Sequence, residues 1–198
     1  MRMNIRAVEG AVVTLLALAS LAAAATDLRV VDAAKNQDTT AIRALLKQGA
    51  AVNTTRPDGV TALHWAAQWD NAEMADLLIR AGARVNAANN YGVTSLALAC
   101  INGSTVLVEK LLKGGADPNA AQVSGETVLM TCARGGALDA VTALLTAGAD
   151  VNAKETSRGQ TASMWAAAEG HTAVVRALIE HGADLHARST TGYSALLL

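Results

Sequence analysis

Apolar side chains recur along this chain at helical spacing in short bursts separated by polar, glycine-marked breaks. In the stretch after Thr61, Leu63, Ala66 and Ala67 fall on one face of a short helix, with alanines that let neighbouring helices come close. A second helix is predicted to open near Ala72. Met74, Ala75, Leu78 and Ile79 form its apolar stripe, and Gly82 supplies the left-handed residue that ends it. Gly59 suits a turn that needs positive φ, Thr61 can cap the helix that follows, and Ala83 to Asn90 read as an extended loop.

The same pattern returns along the whole chain. Gly-x-Thr or a near relative begins at Gly59, Gly92, Gly125, Gly159 and Gly192, in steps of 33, 33, 34 and 33. A second marker, Gly-Ala followed shortly by Asn or His, begins at Gly49, Gly82, Gly115, Gly148 and Gly182. One inserted residue around Ser157 accounts for the longer step. A single helix pair of this kind cannot bury its apolar face alone, so the units must stack in series.

Several stretches carry a resemblance to a known family: TALHWAA, AGARVNA, GGADPNA, AGADVNAK and EGHTAVVRALIEHGAD. They are similar to the ankyrin repeat, and the resemblance extends over about residues 27 to 198. It implies an all-α solenoid of stacked helix-turn-helix units with projecting β-hairpin loops. The units are expected at 27–57 (degenerate), 58–90, 91–123, 124–157 and 158–190, with a truncated sixth at 191–198, all within a domain at 26–198. Asp70 and Ser163 stand where the family prefers Gly and Leu. Asp tolerates the left-handed conformation, whereas Ser163 removes a core side chain and is expected to loosen the fifth unit. Because the sixth unit stops inside its first helix and would expose apolar Leu residues, the chain is expected to be a fragment of a longer one.

Residues 1–25 differ from the repeats. Arg2 and Arg6 precede an apolar run from Ala11 to Leu21, and small residues follow through Ala25. That run is short for a membrane span of ~20 residues and fits a secretory signal cleaved after Ala24 or Ala25, which places the mature chain in the periplasm or outside the cell. An uncleaved anchor or a buried first helix is the alternative. Sixteen basic against seventeen acidic side chains leave a formal charge of -1, so no electrostatic footprint for nucleic acid or a membrane surface is present. Hydrophobic residues make up 52% of the chain but aromatics only 3%, so its apolar content is carried by Ala, Leu and Val. Cys100 and Cys132 occupy unequal positions in neighbouring units. Because stacked helices lie about 10 Å apart and a disulfide needs Cα atoms within about 7 Å, both are expected to be unpaired, buried small hydrophobes.

No catalytic, cofactor or metal site is expected. His64, His171, His181 and His186 lie at different repeat positions, none at the i, i+4 spacing of a helical metal site. Gly-x-Ser-x-Gly and phosphate-cradling glycine motifs are absent. The sequons at Asn53 and Asn102 fall in a recurring structural slot and at a helix end. By the resemblance, His64 belongs to a hydrogen-bond network with Thr61 and neighbouring loops. The resemblance also implies a protein partner on the concave side, made by hairpin tips and first helices. The residues matching those positions are Asp58, Val60, Trp65, Gln68 and Trp69 in the second unit and Tyr91, Val93, Ile101 and Asn102 in the third. The next two units supply Glu126, Arg134, Arg158, Gln160, Ala168 and Glu169, with Trp165 more deeply placed. The expectation is therefore a monomeric, non-catalytic protein-binding scaffold. The rival is a targeting module for a catalytic domain beyond Leu198.

Overall fold

A computed structural model describes residues 27–197. The proposed signal at 1–25 lies outside the described residues. Among these, ten helices alternate between an inner and an outer row. The inner row is α1 (Arg29–Lys35), α3 (Ala62–Gln68), α5 (Ser95–Ile101), α7 (Val128–Arg134) and α9 (Ala162–Ala168). The outer row is α2 (Thr39–Lys47), α4 (Ala72–Arg80), α6 (Thr105–Lys113), α8 (Leu138–Thr146) and α10 (Thr172–Glu180). Each inner helix packs on its own outer helix and on the next inner helix, giving the expected solenoid of stacked pairs. The connecting loops carry only isolated antiparallel bridges, Ala88 to Thr94 and Ala121 to Thr127, and no extended strands among the described residues. Residues 191–197 form turns without a helix.

Local chemistry explains why the units start and stop where they do. The hydroxyls of Thr61, Thr94, Thr127 and Thr161 accept from the backbone N–H three residues on, capping the four inner helices from α3 onward. Asp38, Asn71 and Ser104 do the same for α2, α4 and α6. Leu63, Ala66, Ala67, Met74, Ala75 and Leu78 are buried as the periodicity demands, while Ile79 is half-buried. Ser163 is also buried, and its hydroxyl lies 2.9 Å from that of Thr161. Gly92 meets two constraints together: its φ is +77°, and a Cβ there would stand 2.9 Å from the Val123 nitrogen of the next loop.

The turn between paired helices needs one left-handed residue. Gly103, Gly136 and Gly170 fill it in three units, Asp70 (φ 49°) and Gln37 (φ 60°) in the others. Gln37 is exposed and has the larger steric objection to this conformation. Gln37→Gly is therefore expected to stabilise the chain by about 0.5–1 kcal/mol, seen as a raised urea midpoint at constant slope.

Two further features join the units. Asn53, Asn86, Asn119 and Asn152 form a ladder in which each amide donates to a glycine carbonyl of the next unit and accepts an N–H from it. The acceptors are Gly82, Gly115, Gly148 and Gly182; the donors are Arg84, Asp117, Asp150 and Asp184. The second is covalent and corrects the reading of the cysteines. Cys100 and Cys132 form a disulfide with Cα atoms 4.6 Å apart. The 10 Å argument holds for equivalent positions, which are displaced by one stacking step. Residues one position out of register face each other instead: Cys100 lies in the last turn of α5 on the side toward α7, and Cys132 sits one repeat position earlier in α7, looking back. Equivalent positions elsewhere hold alanine: Ala67 and Ala133 for Cys100, Ala66 and Ala99 for Cys132. That small-residue seam brings the backbones within disulfide reach.

Candidate protein-interaction surface

Surface function here must be assembled from loops and the exposed ends of inner helices. His64 fixes the start of that surface. Its Nδ1 accepts the Thr61 backbone N–H at 3.2 Å, and its Nε2 donates to the Val93 carbonyl of the next unit at 2.9 Å. Burial holds its pKa below the ordinary 6.5, against the opposing pull of the Val93 carbonyl and the Asp58 charge, so the ring works as a neutral strut. His171 and His181 likewise bond backbone carbonyls, of Arg134 and Ala177. The amides of both sequon asparagines are committed to carbonyls of neighbouring units, Asn53 to Gly82 and Asn102 to Ala67.

The predicted surface residues of the second and third units divide into three sets. Trp69, Tyr91 and Ile101 are exposed large apolar groups, at 42%, 73% and 56% of their surface. Trp69 stacks on Trp65 with ring centroids 6.0 Å apart, and its indole N–H donates to the Lys35 carbonyl of the first unit. It is thus partly a joint between units, which makes Tyr91 the cleaner probe of binding. Val60, Val93 and Trp65 are half-buried, with Val93 and Trp65 packed against the core. Asp58 and Asn102 serve turns and joints, Asp58 by accepting the Val60 N–H and Asn102 through the contact already noted; Gln68 is exposed.

The remaining residues converge. Arg134, Arg158, Gln160, Trp165, Ala168 and Glu169, drawn from two units, line one surface pocket of about 300 Å³. The Arg134 guanidinium lies 4.8 Å from the centre of the Trp165 ring and 3.5 Å from a Glu126 oxygen. Glu126 is itself held by the Thr131 hydroxyl at 2.8 Å. The indole nitrogens of Trp65 and Trp165 are buried without a hydrogen-bond partner among the described residues.

Sequence reasoning passed over Glu155, which anchors the main chain of two residues that line this pocket, Arg158 and Gln160. The inserted residue lengthens the hairpin by one, and at the turn position held by Asn89 in the second unit stands this longer carboxylate. It accepts from the Ser157 hydroxyl and from the backbone N–H groups of Ser157, Arg158 and Gln160, at 2.6 to 3.0 Å. Burial opposes its charge, but these four hydrogen bonds prevail and lower its pKa to about 2. The signal was the insertion itself, since a lengthened turn needs a longer anchor.

The family profile for ankyrin repeats (3 copies) matches residues 30–122 and 107–189. The chain belongs to the ankyrin-repeat family. No curated protein matches it. Ankyrin repeats generally mediate protein–protein interaction, and proteins built from them are typically binding scaffolds without catalysis. In this ankyrin-repeat chain, the described residues hold no cluster of three or more His, Cys, Asp or Glu side chains placed to grip a metal ion.

Proposed function

We propose that this ankyrin-repeat chain is an exported, monomeric, non-catalytic scaffold that holds a protein partner on its concave side. The observation that carries the reading is the exposure of Trp69, Tyr91 and Ile101 at hairpin tips and inner-helix ends, in a chain with few aromatics. Aromatic anchors dominate many interfaces. Export to the periplasm or the exterior is supported by the character of residues 1–25 and by the buried disulfide, a bond that persists in oxidising compartments and is rare in the cytosol.

The test uses the full chain as bait in the exported fraction, with Tyr91→Ala in parallel. The substitution should leave the unfolding midpoint nearly unchanged, because most of the side chain already meets water. It should weaken partner capture at least ~10-fold. Equal capture by the two baits would sink the aromatic surface. N-terminal sequencing checks export independently: a start at Ala25 or Thr26 supports it, and a start at Met1 refutes cleavage.

A further inference from the structure

We infer that the pocket between the fourth and fifth units is a carboxylate-reading subsite that receives one acidic side chain of the partner. This deepens the scaffold reading and rests on it.

Size comes first. A space of about 300 Å³ open to the surface suits a single side chain more than a cofactor. Charge comes next. Two guanidinium groups, from Arg134 and Arg158, line it against one carboxylate, that of Glu169. Arg134 is oriented in advance, with one face on Trp165 and one nitrogen 3.5 Å from Glu126. That distance is too long for a good hydrogen bond, and a guanidinium has five N–H donors, so capacity for a planar, two-oxygen acceptor remains. Arg158 is positioned through its main chain. Its N–H donates to Glu155 at 2.7 Å, and its carbonyl accepts from Thr190 at 2.8 Å. Ordering these groups before binding removes part of the entropic cost of capture. The Glu169 carboxylate in the same lining disfavours a doubly charged phosphate more than a singly charged carboxylate.

The experiment titrates the full disulfide-bonded chain with N-acetylglutamic acid α-methylamide, following the side-chain N–H resonances of arginine and tryptophan by NMR. The glutamine counterpart and a phosphoserine counterpart are the comparison probes. Saturable shifts of Arg134, Arg158 and Trp165 with the glutamate probe, absent with the glutamine probe and weaker with phosphoserine, are expected. Arg158→Gln should weaken the glutamate probe ~10-fold, and Glu169→Gln should tighten it by roughly 2-fold to 5-fold. Both replace exposed side chains, and circular dichroism checks their folding. Equal shifts with glutamate and glutamine probes, or shifts spread over all arginines, would overturn the subsite. So would preference for phosphoserine. Because the probe is a small molecule, a silent pocket beside a partner lost on Tyr91→Ala would refute the subsite and leave the scaffold reading standing.

Discussion

Replacing both Cys100 and Cys132 by alanine is expected to lower the unfolding free energy by about 3–4 kcal/mol, the chain-entropy value for a loop closed over a separation of 32 residues. Alanine is the informative substitute because it already occupies these positions in other units, so the packing of α5 on α7 survives. The loss is then mainly that of a constraint on the unfolded chain. It should also change the form of the transition. In a linear array each unit touches only its neighbours, so without the crosslink units one to three can separate energetically from units four and five. Urea unfolding of the oxidised chain is expected to be one steep transition at a higher midpoint, and that of the double variant broader and earlier. Superimposable curves would refute the crosslink's role. Both sulfurs belong to fully buried residues, so reductant should act on the folded chain only as fast as the stack opens.

The second large effect concerns Glu155. Glu155→Ala removes a buried carboxylate and strips its turn of four hydrogen bonds, three of them to backbone N–H groups, and should cost about 2–3 kcal/mol. The pH dependence has a definite sign. The folded pKa lies near 2 and the ordinary value is 4.5, so the stabilisation is complete above about pH 5 and fades as pH falls toward 2. His64 adds a loss at higher pH. Its folded pKa is depressed, so below about 6.5 the unfolded chain takes up a proton that the folded one resists, and stability again falls with acidification. Stability measured from pH 7 down to 3 should decline in two stages. Glu155→Ala shrinks the lower stage, which Asp27 shares because its hydrogen bonds with Arg29 lower its pKa to about 2 as well, and His64→Ala removes the upper; a Glu155→Ala profile parallel to the parent's would refute the assignment.

The solenoid was legible because its information is periodic: caps at Thr61, Thr94, Thr127 and Thr161, alanine seams, and left-handed breaks recur until chance is excluded. The role of His64 is legible through the family resemblance, and Asn53 stands in a recurring structural slot, but the joints that the asparagines make are not spelled out by the period. What escaped lies in departures from the period. The disulfide depends on a one-residue offset between cysteines, which looks like a mismatch along the chain and becomes a meeting across the stack. Glu155 answers a single insertion. The convergence of Arg134 with Arg158 and Glu169 reflects how the fourth unit sits on the fifth, a relation that position within a repeat does not specify.

The asparagine ladder has a consequence for how such a chain changes length. Each asparagine reads a carbonyl and an N–H that any copy of the unit presents, whatever its side chains. A whole unit can thus be duplicated or lost by recombination and the splice will heal itself, because its adhesive is written in main-chain atoms. The seam between the third and fourth units is the exception. Its two halves share the ladder through Asn119, Gly148 and Asp150 but are also joined by a matched pair of cysteines, so an exchange passing through that seam would leave a lone thiol on each side. Lineages that vary in repeat number should therefore gain and lose copies elsewhere and inherit this pair as one block.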